Sequence, residues 1–105
     1  NKKAFKSALK SIFSALVKEN RLRIIDEITI EEPKTKLMIG LLEKLELESV
    51  LIILKEVDIN IKLASRNIPN VKVISPDKMN PVNLIRFDYV LMDYKVLADI
   101  ESKLQ

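Results

Sequence analysis

The chain has 105 residues, 48% apolar and 31% charged, with a net charge of +3, a composition that fits one globular domain and excludes a disordered or fibrous one. It contains no Cys and no His and a single Gly, Gly40, which removes disulfides, thiolate chemistry, the usual zinc ligands, the one side chain that titrates near neutrality and any glycine loop for a mononucleotide. There is no starting Met, no signal-peptide layout and no apolar run near the ~18 residues of a membrane span, so a soluble, intracellular chain lacking its natural front is expected.

From Asn1 to Arg23 seven cations stand against one acid, a net +6, while the remaining residues carry eleven against fourteen, a net −3. One end of the chain is a cationic device and the rest is not. Residues 4–17, AFKSALKSIFSALV, put Phe5, Leu9, Ile12, Phe13 and Leu16 on one helical face, with Lys2, Lys3, Lys6 and Lys10 on a neighbouring stripe. RLRIID alternates and predicts a strand over 21–26. In PKTKLMIGLLEKL, Pro33 marks a first helical position, and Leu37, Met38, Leu41, Leu42 and Leu45 form the stripe to be buried.

VLIIL at 50–54 is an uninterrupted apolar run rich in β-formers, as a strand covered on both faces should be. A short helix follows behind Asp58 as N-cap, then the strand VKVIS at 71–75 and a helix behind Asn80. The strand YVLMD at 89–93 and the helix YKVLADIESKL end the chain. The rhythm αβαβαβαβα implies an α/β fold, a three-layer sandwich on a four-stranded parallel sheet with right-handed crossovers. Continuous apolar runs belong in the middle and alternating ones at the edges. VLIIL and YVLMD are therefore central, and the expected order is 1-4-2-3.

Two kinds of site can be drawn from these residues. The carboxyl ends of the strands offer Asp26, Glu27, Lys55, Ser75 and Asp93, a set that could hold Mg²⁺ or a phosphorylated ligand in a regulatory domain. Against it, Asp93 directly precedes a helix and is explained as a cap, and Lys55 opens a polar loop. The cations make the stronger case because they contradict a local preference: positive charge in a helix's first turn is disfavoured by about 0.3–1 kcal/mol. Lys34 and Lys36 nevertheless open the second helix, and Lys2, Lys3 and Lys6 the first. With the Thr35 hydroxyl and free backbone amides they form a phosphate cradle, although Glu31 and Glu32 are near enough to pair with them.

The first helix should run antiparallel to the strand it feeds, so both groups start at the sheet's carboxyl edge and face one polyanion. Phe5, Phe13, Phe87, Tyr89 and Tyr94 look buried and form no stacking series, which favours duplex RNA over exposed bases. In LASRNIPNV every residue has a structural job: Arg66 suits the helix's negative end, Asn67 the left-handed cap, Ile68 folds back, and Pro69 stops the helix.

NKKAFKSALKSIFSALV, EEPKTK, LASRNIPNV and NPVNLIRFDYVLM, in this order and spacing, closely resemble the C-terminal half of the bacterial large-subunit ribosomal protein L-four family, over essentially all 105 residues. The resemblance implies a non-catalytic protein of the ribosome, cytoplasmic or organellar, without cofactor or metal. It further implies binding to large-subunit rRNA beside neighbouring ribosomal proteins, early assembly, and in several bacteria repression of the family's own operon through messenger RNA. The family's N-terminal part and long tunnel loop are absent from this stretch. Lys2, Lys3, Lys6, Lys10, Lys34, Thr35 and Lys36 become the implied RNA contacts, joined by Arg66 and Asn67. Ser65 stands where relatives more often have Ala, and Asp93 where they often have Thr, a capping residue but a poor metal ligand.

Overall fold

The structure is a computed structural model, and it describes residues 2–104. Its elements in chain order are α1 (Lys2–Lys18), β1 (Leu22–Ile25), α2 (Thr35–Lys44), β2 (Val50–Ile53), α3 (Ile59–Ser65), β3 (Val71–Ile74), a 3-10 turn (Pro76–Lys78), α4 (Pro81–Arg86), β4 (Tyr89–Asp93) and α5 (Tyr94–Leu104). The sheet runs β1-β4-β2-β3 with every pairing parallel. The order read from apolar continuity is the observed one: every residue of β2 is buried, whereas β1 and β3 each keep an exposed position, Arg23 and Lys72.

Handedness distributes the helices. The steps β1 to β2 and β2 to β3 move the same way across the sheet, so right-handed crossovers put α2 and α3 on one face; β3 to β4 reverses direction and sends α4 to the other. Two apolar clusters follow. Leu9, Leu16, Leu84, Val96 and Ile100 of α1, α4 and α5 cover Leu51, Ile53, Val90 and Met92 on one side. Met38, Leu42, Ile61 and Ala64 of α2 and α3 cover Val50, Ile52 and Leu91 on the other.

Three left-handed residues set the turns. Asn20 has φ 60°, and the Arg21 and Asn20 amides bond to the carbonyls of Leu16 and Val17. Glu46 repeats the arrangement at φ 59°, with Leu47 and Glu46 bonding back to Leu42 and Glu43. Both are Schellman reversals, and Leu42 and Leu47 supply the buried apolar contact that accompanies one. The third is Asn70, at φ 64°. Asn67 was expected to be left-handed and is not; Arg66 caps α3 in right-handed geometry, Pro69 follows, and the chain turns one residue after the proline.

Other expectations are corrected in detail. Pro33 precedes the helix instead of opening it: α2 starts at Thr35, with Lys34 as N-cap in extended geometry. Leu37 lies off the Met38–Leu42 line and is 40% exposed. Phe5 is 47% and Tyr94 58% exposed, Phe13 and Tyr89 are half-buried, and of the five aromatics only Phe87 is buried. For Phe5 the reason is length: 17 residues of helix extend about 25 Å and four of strand about 13 Å, so α1 overhangs the sheet.

Candidate nucleic-acid interface

The helix starts are built as the charge pattern implies. Neither α1 nor α2 has an acid in its first turn, although carboxylates are the favoured charge there. Lys34, whose side chain has no acceptor, occupies the N-cap of α2 and makes no side-chain capping hydrogen bond. Thr35 and Lys36 are the first two helical residues, half-buried and exposed respectively. On α1, Lys2, Lys3 and Lys10 are exposed and Lys6 is half-buried.

Glu32 does reach Lys34, with its carboxylate 3.0 Å from the ammonium. Both side chains are more than half exposed, and such a pair is worth about 0–1 kcal/mol, little enough for a phosphate to displace it. Lys36 takes part in none of the three ion pairs among the described residues.

The fold brings the two lysine groups to one edge but not to one face. α1 reverses at Asn20 into β1 and therefore starts at the carboxyl edge, where α2 also starts; yet α1 packs on one side of the sheet and α2 on the other. A polyanion touching both has to span the sandwich, instead of lying in a single cradle.

Part of the N-terminal cation excess is consumed by the fold. Arg21 donates through Nε to the Asp88 carbonyl and through Nη2 to the Phe87 carbonyl, both at 2.7 Å, and so ties β1 to the turn before β4. Arg23 lies 5.2 Å from the Tyr89 ring centroid, a cation–π contact. These two arginines are structural, which the sequence could not show because their partners lie more than sixty residues away.

The acids fare differently. Asp26, Glu27, Lys55 and Asp93 do line one cleft at the carboxyl ends of the strands, together with Glu56 and Asp58. Asp93, however, accepts the Val96 amide at 2.9 Å as the cap of α5, and Asp58 accepts the Asn60 amide at 3.1 Å as the cap of α3. No three acids among the described residues come together as a metal group. Ser75 is outside this cleft and donates to Asp77; that bond, with the Asp77 backbone amide and the charge of Lys78, holds the Asp77 carboxyl below its ordinary range.

Arg66 and Asn67 are both exposed beyond α3. The structure adds to Arg66 three cations that the sequence reading passed over: Lys62, Lys72 and Lys78 line the same groove. The spacing of Lys62 and Arg66 on one helix was visible; the approach of Lys72 and Lys78 required the sheet.

A family model described as the ribosomal protein L4/L1 family matches residues 1–103. Among similar proteins, the large ribosomal subunit protein uL4 of Buchnera aphidicola subsp. Baizongia pistaciae is 48% identical over 104 residues, covering 99% of this chain and 52% of that protein. The protein of the same name from Nitrosomonas europaea is 43% identical over 105 residues, covering 100% and 51%, and that of Hamiltonella defensa subsp. Acyrthosiphon pisum is 44% identical over 104, covering 99% and 52%. The chain thus spans about half the length of the curated relatives it matches.

Proposed function

Since the chain belongs to the ribosomal protein L4/L1 family, we propose that it is a non-catalytic structural constituent of the large ribosomal subunit that binds large-subunit rRNA. Lys2, Lys3, Lys6, Lys10, Lys34 and Lys36 neutralise phosphates, the Thr35 hydroxyl adds a neutral donor, and Arg66 and Asn67 contact the RNA from the end of α3. The protein joins the subunit early in assembly, packs beside other ribosomal proteins and represses its own operon when it binds its messenger RNA instead. In this reading it forms a single α/β domain and works in the ribosome without metal or cofactor.

The observation that carries the reading is the placement of Lys34, Thr35 and Lys36. Ammonium groups occupy the cap and first turn of α2 with no acid in that turn. The helix's own partial charge repels them, and a bound phosphate reverses the sign of the interaction because it is attracted by the amides and the ammonium groups together. Phosphate contacts of this kind fix position and orientation; RNA shape supplies the selectivity.

Binding to folded large-subunit rRNA should weaken with salt at a log-log slope of roughly −3 to −5 if about five lysines neutralise phosphates. The combined Lys34→Gln and Lys36→Gln variant should keep the fold and bind with a slope shallower by roughly 1.5. An unchanged slope would remove α2 from the interface. If a Mg²⁺ titration without RNA instead moved the NMR signals of Asp26 and Asp93 selectively, a regulatory cation site at the strand ends would replace this reading.

A further inference from the structure

Three of the four arginines have intramolecular work: Arg21 clamps the turn before β4, Arg23 covers Tyr89, and Arg86 lies 5.4 Å from the Phe87 ring centroid. Arg66 is different. It is exposed, and among the described residues its guanidinium makes no hydrogen bond, ion pair or ring contact. It stands on the wall of a groove between α3 and β3, with Lys62 one turn earlier on α3, Lys72 on the strand and Lys78 on the 3-10 turn beyond it. No acid among the described residues lines this groove. The nearest carboxylates along these elements are engaged locally, Asp58 with the Asn60 amide and Asp77 with the Ser75 hydroxyl.

Four cations in one acid-free groove repel each other, and Lys62 and Arg66, four apart on a helix, do so by about 0.2–0.5 kcal/mol. Single explanations exist for single residues. A cation suits the end of α3, and a lysine on an edge strand discourages pairing with another sheet. Neither accounts for the convergence of all four. The strand adds donors as well: among the described residues β3 pairs only with β2, and the Asn70 and Ile74 carbonyls accept from Val50 and Leu54. Because parallel strands turn alternate residues outward, the Val71 and Val73 amides, alternating with their carbonyls, point to the open edge that lines the groove.

We propose that this groove is a second phosphate-contact surface, which takes the sugar-phosphate backbone of large-subunit rRNA independently of the lysines at the starts of α1 and α2. The proposal rests on the rRNA-binding reading above. The Arg66 guanidinium grips one phosphate with its planar fork, and Lys62, Lys72 and Lys78 act as point charges on phosphates to either side. The surface reads backbone, not bases, since no aromatic side chain among the described residues lines the groove.

The test uses the 105-residue chain and folded large-subunit rRNA, with affinity followed across salt concentrations and the contacted nucleotides mapped by hydroxyl-radical footprinting. Lys62→Gln, Arg66→Gln, Lys72→Gln and Lys78→Gln combined should give a slope shallower by about 3, at roughly 0.7–0.9 per cation. The footprint should lose a segment that the Lys34→Gln and Lys36→Gln variant retains. A slope unchanged in the groove variant but reduced in the α2 variant overturns the proposal, withdraws Arg66 from the interface and leaves rRNA binding through α1 and α2 standing. Failure of the unsubstituted chain to bind rRNA overturns both. Intact affinity for naked rRNA with lost incorporation into reconstituted subunits assigns the groove to an acidic protein neighbour and also overturns it. If circular dichroism shows the fourfold variant unfolded, Lys72→Gln alone decides: a slope shallower by just under one unit supports the surface, and no change rejects it.

Discussion

Glu46 holds a left-handed backbone at φ 59° to end α2, a conformation that costs a residue with a Cβ roughly 1–2 kcal/mol. Its charge is also unfavourable at a helix's carboxyl end. Glu46→Gly should therefore raise stability by about 0.5–1 kcal/mol after glycine's own entropy loss is counted; urea unfolding with no gain would mean that the reversal at Glu46 is not left-handed in solution. Ser65 illustrates the opposite case. It is buried, but its hydroxyl donates to the Ile61 carbonyl at 2.7 Å, so the serine is satisfied within its own helix and makes no demand on Arg66 beside it. The left-handed turn after α3 shows how a single residue escapes local reading: Asn67 and Asn70 are equally able to turn left-handed, and only the path of the chain after Pro69 selects the second.

The second helix carries a conflict between stability and binding. A residue that can accept the free amides of a helix start would stabilise α2, yet Lys34 occupies that place and α2 lacks a first-turn acid. Lys34→Asp should stabilise the chain by about 1 kcal/mol through the cap and the helix dipole, and should weaken rRNA binding in the same protein. Thermal unfolding and RNA affinity are thus expected to move in opposite directions; movement together would show that Lys34 serves the fold. The capped helices were legible beforehand, because Asp58, Asn80 and Asp93 all accept the amides expected of them. The start of α2 was less so: Pro33 is a common first helical residue, but here Lys34 stands between it and Thr35 as the N-cap.

The whole molecule is a sheet with two faces covered by apolar clusters and two edge strands that keep an exposed cation each. Central strands are sealed between the two apolar clusters, so Leu51→Ala in β2 should cost about 3–5 kcal/mol, and Leu22→Ala in the edge strand β1, where the side chain is only half-buried, no more than half as much. Equal losses in chemical denaturation would contradict the order β1-β4-β2-β3. Cations are distributed by the same architecture. The arginines of β1 are absorbed by its contacts with the turn before β4 and with Tyr89, whereas the β3 edge leaves Arg66, Lys62, Lys72 and Lys78 around one groove.

Apolar continuity along β2 and β4, alternation along β1 and β3, and capping residues before three helices were enough for the α/β class, the layers and the strand order. These signals are local, because burial on both faces or on one is written into the period of a single strand. Which cations remain available was decided only by the tertiary structure. The charge of Arg21 reads the same in the sequence as that of Arg66, but folding carries the first to carbonyls 66 and 67 residues away and leaves the second exposed among lysines from β3 and the turn beyond it. Long-range pairing consumes a charge or releases it, and no periodicity records that outcome.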